Sequence, residues 1–251
     1  MTRLAAILFL ALAPLAAMAE EVVAGLSQSR ISISTNFDGS EILIFGAVKR
    51  ESEIAAEPPL EVIITVQGPS RPISVRRKEK RLGIWVNTDS VEVDAAPSFY
   101  AVATSAPWDA VITDVEDLRH KVSIRRAIRS VGASITGSED FTDALIRIRE
   151  GESLYQTNIG AVTLDEDTLF STSIRLPANL TEGDYSARFF LTRGGRVLDV
   201  HDTVIAVQKV GLERFLYNLA HQQPLIYGLL SLTIAIAAGW GASAVFRYIR
   251  N

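Results

Sequence analysis

The side chains in this chain whose types and spacing suit chemistry are cations. Arg76, Arg77 and Lys78 open the run RRKEKR, and Arg125, Arg126 and Arg129 recur with Arg119 and Lys121 along a segment of helical spacing. Guanidinium forks match the geometry of oxyanions and phosphates, so each cluster is a candidate anion site, for a small anion or for lipid headgroups. Each also has a plainer reading, as a hydrated loop and as a helix face balanced by Asp114, Glu116 and Asp117.

Catalytic constellations are not apparent. The chain has no cysteine, which removes disulfides, thiolate nucleophiles and cysteine-ligated metals together. Its 3 histidines, His120, His201 and His221, fall in different segments without ligand-like spacing. No G-x-S-x-G elbow, S-x-x-K motif or Gly-rich phosphate loop is present. The acidic run Asp165-Glu166-Asp167 lacks the alternate-position ligands of a calcium loop and reads as a solvated turn. The expectation is a non-enzymatic protein with no cofactor and no metal. A formal net charge of −4 gives no general attraction to nucleic acid.

The elements that must position these residues begin with MTRLAAILFLALAPLAAMA. It has one basic residue, a short apolar run and a small-x-small end at Ala17-Met18-Ala19, and residues 1–19 read as a secretory signal peptide. Residues 22–106 carry period-two runs rich in β-branched residues: RISIS, EILIFGAV, LEVIITVQG, GIWVN and SFYAVATS. Turn residues separate them, which predicts an immunoglobulin-like β-sandwich. Residues 107–155 turn helical. Val111, Val115, Leu118 and Val122 form an amphipathic stripe, and a second helix follows Ser138 through Phe141, Leu145 and Ile148 to Gly151. Residues 156–210 form a second β region, with a Gly-Gly hairpin turn at 194–195. It reads as an incomplete second sandwich or as a sheet packed on the first. The fold class expected is mainly β with a helical insert.

Residues 211–223 place Leu212, Phe215, Leu216 and Leu219 on one helical face, a juxtamembrane amphipathic helix that Pro224 bends. From Leu225 to Phe246 no residue is charged, and residues 224–249 read as a transmembrane helix long enough for a hydrocarbon core of ~30 Å. With an exported amino end, the bulk of the chain lies in the periplasm and the short carboxyl end, with Arg247 and Arg250, in the cytoplasm. Gly228, Ser231, Ala235, Gly239 and Ser243 recur at steps of three or four, a stripe that lets helices approach closely in lipid.

The signal, the block GLSQSRISISTNFDGSEILIFGAV, the segment LPANLTEGDY and the single carboxyl-terminal span together resemble a transmembrane protein family of alphaproteobacteria. The resemblance covers essentially the whole chain. It implies an accessory role at the inner membrane beside a transporter, of an anion-exporter type, and it offers no catalytic residues to carry over. Two functions are therefore expected in competition: an interaction partner of another inner-membrane protein, and a periplasmic anion-binding module coupled to an exporter.

Overall fold

The computed structural model describes residues 20–34, 37–50, 57–130, 138–210 and 212–249; residues 1–19, read from the sequence as a signal peptide, lie outside them. Along these residues run β1 (Glu21–Leu26), β2 (Arg30–Ile33), β3 (Ser40–Lys49), β4 (Leu60–Gln67), β5 (Ser70–Arg81), β6 (Ile84–Pro97) and β7 (Tyr100–Thr104). Helices α1 (Trp108–Val111), α2 (Asp114–His120), α3 (Ile124–Ala127) and α4 (Ser138–Gly151) follow. Then come β8 (Tyr155–Asn158), β9 (Thr163–Asp165), β10 (Leu169–Leu176), β11 (Gly183–Arg193) and β12 (Arg196–Lys209), and finally α5 (Leu212–Gln222) and α6 (Pro224–Ile249). The fold is mainly β, with helices between β7 and β8 and one apolar helix at the carboxyl end. The chain divides into two compact units, one holding β1 and residues 38–206, the other residues 30–37 and those from 207 onward.

The first unit is built on two sheets. The small one has the order β1-β3-β10-β9, and the larger contains the run β12-β11-β4-β7-β8. Even-numbered residues of the small sheet, Val22, Ile42, Ile44, Val48, Phe170, Ile174 and Leu176, are buried and face the large sheet. There the Phe170 and Phe189 rings meet at 6.0 Å between centroids. Gly46 is fixed by this packing, because a Cβ would lie 2.3 Å from Phe170 Cζ and 2.7 Å from the Val23 carbonyl oxygen.

The large sheet is covered on its second face as well. Opposite residues in register point the same way, so Ile64 and Phe189 face the small sheet, whereas Ile63, Phe190 and Thr104 face the helices. That is why LEVIITVQ is nearly continuous in apolar residues rather than alternating. The second cover is tied down by polar contacts. Arg188 Nη1 donates to the His120 carbonyl at 2.8 Å and Nη2 to the Lys121 carbonyl at 3.1 Å, satisfying the end of α2. Asp117 accepts from the Val122 and Ser123 amides at 3.0 and 2.7 Å and from Ser123 Oγ at 2.7 Å. Tyr100 Oη donates to the Val122 carbonyl at 2.6 Å.

Several expectations change. The strands of 22–106 and 156–210 do not form separate layers: β3 pairs with β10 and β4 with β11, so both regions share the same two sheets. The stripe Val111, Val115, Leu118 and Val122 is not one helix face. Thr113 caps α2 and Lys121 ends it at φ 53°, so Val115 and Leu118 face outward while Glu116 and Asp117 are buried. Gly194 and Gly195, at φ 56° and 75°, make the anticipated hairpin turn. The Asp165-Glu166-Asp167 run ends β9 at Asp165 and turns tightly toward β10, its Asp167 carbonyl accepting from Arg50. The RRKEKR run is not a loop: it belongs to β5 itself, half of a hairpin with β6.

In the second unit β2 lies alongside the end of β12, and the Val210 amide donates to the Ile33 carbonyl at 2.8 Å. Only Gln223 separates α5 from α6. Pro224 opens α6 at a position whose N–H needs no helical partner. Over Pro224–Ser243 the helix has mean hydropathy 1.7, long and apolar enough to cross a membrane.

Candidate functional site

Alternation in β3 puts a second set of side chains on the outer face of the small sheet. Read across the register, one row is Val23, Ala47, Leu169 and Asp165; the next is Gly25, Phe45, Ser171 and Thr163; Leu43 and Ser173 form the row after. Val23, Leu43, Phe45 and Leu169 are 54%, 49%, 46% and 57% exposed. The Phe45 ring lies over Gly25, whose added Cβ would sit 2.9 Å from Phe45 Cε2, so the glycine makes room for an aromatic lying flat on the sheet. Charges stand at both ends: Lys49 and Glu21 pair at 3.6 Å, and at the other end Glu41, opposite Arg175, accepts from Ser173 Oγ. An apolar centre with a charged rim is the anatomy of a protein interface.

This set was not singled out from the sequence. The signal was there in EILIFGAV, where both parities are apolar although a strand with one solvated face alternates with polar residues.

The predicted cation clusters are brought to one helix from two directions. Arg77 Nη2 lies 3.4 Å from Asp140 Oδ2 on α4, with its guanidinium 4.8 Å from the Phe141 ring centroid. Arg125 Nη2 reaches Asp143 Oδ1, one turn further along α4, at 2.6 Å. One arginine of each cluster is thus matched by an acid. Arg76, Lys78, Arg126 and Arg129 are exposed. The stripe Gly228, Ser231, Ala235, Gly239 and Ser243 lies open along α6, and a Cβ added at Gly228 or Gly239 would meet nothing within 4 Å.

Elsewhere on the first unit a cleft of about 460 Å³ is lined by Asp38, Glu150, Glu152, Tyr155, Gln156 and Arg175, among others. Its central polar groups serve the fold. Tyr155 Oη donates to the Pro97 carbonyl at 2.8 Å, and burial pushes its pKa up to about 12. Gln156 Nε2 donates to the carbonyls of Ser153 and Arg175. Tyr100 is likewise pushed up to about 12 by burial, against the opposing pull of Arg188. Neither phenol is tuned toward neutral-pH acid–base work. The histidines are separate: His120 lies against Phe190 with Glu116 Oε2 at 3.5 Å, His201 against Phe189, and His221 stacks on Tyr217.

Residues 21–248 match the model of the family described as "Putative transmembrane protein (Alph_Pro_TM)". The chain belongs to that family. Membership agrees with the apolar helix α6 and with the resemblance carried by the early strand block. No curated protein matches the sequence.

Proposed function

We propose that this family member is a non-enzymatic accessory protein of the bacterial inner membrane, tethered by α6, whose β unit stands in the periplasm and docks on another membrane protein of transporter type. The observation that carries this reading is the outer face of the small sheet, where Val23, Leu43, Phe45 and Leu169 expose an apolar centre between charged ends. Apolar clusters of that kind on soluble faces mark contact surfaces. A protein is the better occupant than an anionic lipid surface because the flanking charges are of both signs, Glu21, Glu41 and Asp165 beside Lys49 and Arg175, and a layer of one sign cannot complement them.

The test is site-specific photo-crosslinking in intact cells. A photoreactive residue at Leu43 should give a discrete adduct with one membrane protein, and the Phe45→Ser, Leu169→Ser chain at the same level should lose it. The same probe at Arg196 should give none. Adducts of equal yield from Leu43 and Arg196, or an adduct untouched by the double substitution, would overturn the reading.

The competing anion-binding reading draws on the meeting of both cation clusters at α4. Calorimetry of the full chain with sulfite, sulfate and phosphate tests it. A heat lost in Arg76→Ala, Arg126→Ala would favour it, and silence with all three anions would dismiss it.

A further inference from the structure

The β5–β6 hairpin has a feature that neither the fold nor the sheet face explains. Its strands stay paired to the last rung, Arg81 opposite Ile84, leaving a two-residue turn of Leu82 and Gly83 at φ 49° and 88°. Turns of this kind favour Asn, Asp or Gly at the first position. Here it holds a leucine that is 106% exposed, followed by Ile84 at 65% and Trp85 at 68%. Three large apolar side chains therefore project at the tip of a hairpin with most of their surface in solvent.

Directly behind the tip the strand is cationic. Arg76, Arg77, Lys78, Lys80 and Arg81 stand on β5, against Glu79 beside them and Asp89 across from Arg77. Arg77 is drawn to Asp140 and Arg81 lies 3.5 Å from Glu79, which leaves Arg76, Lys78 and Lys80, on the same face of the strand, as the cationic set nearest the tip on that side. Lys80 is in register with Trp85, so an indole and an ammonium stand side by side. The arrangement is a narrow apolar point with a basic collar.

We propose that this hairpin tip docks on an anionic lipid surface: Leu82, Ile84 and Trp85 enter the boundary between headgroups and acyl chains, and Arg76, Lys78 and Lys80 meet the lipid phosphates. Trp is favoured at that depth because its ring is apolar with one polar N–H, and basic residues near an anionic leaflet are attracted to it. A convex point suits a fluid surface that closes around it, whereas a protein partner would need a matching pit. The proposal is independent of the sheet face and uses none of its residues.

The absence of cysteine makes the test direct, since Leu82→Cys provides the sole labelling position in the full chain. The chain, carrying an environment-sensitive fluorophore there, is reconstituted into vesicles of phosphatidylcholine alone or of phosphatidylcholine with phosphatidylglycerol. In the anionic vesicles the emission should shift to the blue and be quenched by lipids bearing a nitroxide on the acyl chain. The same label at Glu92→Cys, down the strand from the tip, should remain in water. Arg76→Glu, Lys78→Glu and Lys80→Glu together should lower the inserted fraction about tenfold or more, and raised salt should do the same. Ile84→Ser, Trp85→Ser should abolish quenching even in anionic vesicles. A tip label that stays in water in both vesicle types overturns the proposal. So does a label that becomes buried only when other membrane proteins are added, which would mean a protein contact instead.

Discussion

Strands β3 and β4 are both rich in Ile, Val and Leu, and their surroundings differ on one side only. Every residue of β4 from Val62 to Val66 is buried, because the small sheet covers one face and the helices the other. In β3 the even positions Ile42, Ile44 and Val48 are equally buried, while Leu43 and Phe45 look outward. The same composition has been put to two uses. An apolar residue facing a packed neighbour is accounted for by folding, whereas one facing water on a rigid sheet calls for an occupant that folding does not supply.

Truncation separates the two most sharply. Ile64→Ala should cost about 2–5 kcal/mol, the range for emptying a filled core position. Leu43→Ala, one methyl-rich side chain removed from the open face, should cost less than about 1 kcal/mol. Thermal unfolding of the full chain in detergent, followed by circular dichroism, reads both. Similar losses would mean that the outer face is covered within the unit, and the comparison would collapse.

The covered side also holds the titrating groups. Tyr100 and Tyr155, ordinarily near 10, are pushed by burial to about 12. Below pH 10 both phenols are neutral in the folded and unfolded chains, and their stabilising share is whole. Between pH 10 and 12 the unfolded chain releases protons that the folded one retains, so stability falls as pH rises and is lost through the folded value. The loss is bounded at about 2–3 kcal/mol for each tyrosine. Tyr155→Phe should flatten the decline between those values in a pH series of urea titrations; an unchanged slope would place the ionisation elsewhere.

Two glycines on β1 and β3 test the faces at finer scale. Gly46→Ala drives a methyl against Phe170 on the inner side and the Val23 carbonyl, neither of which can retreat, and should cost about 1–3 kcal/mol. Gly25→Ala meets only the ring of Phe45, which is exposed and can swing aside, and should stay within about 0.5 kcal/mol. Its visible effect would be on the interface, by lifting the ring that lies flat there.

How much of this the sequence discloses depends on range. RISIS, EILIFGAV, LEVIITVQG and SFYAVATS are legible as strands because alternation and β-branching are local properties. The cover of α4 over Phe141 and Leu145 is legible for the same reason. Partnering is not local: nothing within EILIFGAV says that its neighbour is Leu169–Leu176, more than a hundred residues on. β5 is masked by its charges, since RRKEKR has no apolar period and becomes a strand only through pairing with β6. Residues 108–127 mislead in the opposite direction. Their helical spacing is genuine, but Thr113 and Asp117 bond to nearby backbone and cut the helix into turns, which keeps Val111 and Val122 buried and turns Val115 and Leu118 outward. The cation clusters were identifiable by type, but their meeting at α4 was not.

A second open face, the small-residue stripe of α6, tests whether the helix shares in the contact proposed for the sheet. If α6 only anchors the chain, any apolar helix of similar length satisfies the bilayer, and replacing it should leave the Leu43 crosslink intact. If it packs against the partner's helices, Gly239→Leu should weaken the association by about 1–2 kcal/mol, roughly tenfold, because a leucine holds apart backbones that small residues allow to meet. Leu230→Ala, about half a turn away around the helix, is the control and should change little. The sheet face and the stripe would then act in sequence, one choosing the partner by shape and the other holding it within the membrane. Equal crosslinking of the wild type and Gly239→Leu chains would leave recognition to the β unit alone, with α6 supplying only confinement to the plane in which the partner is found.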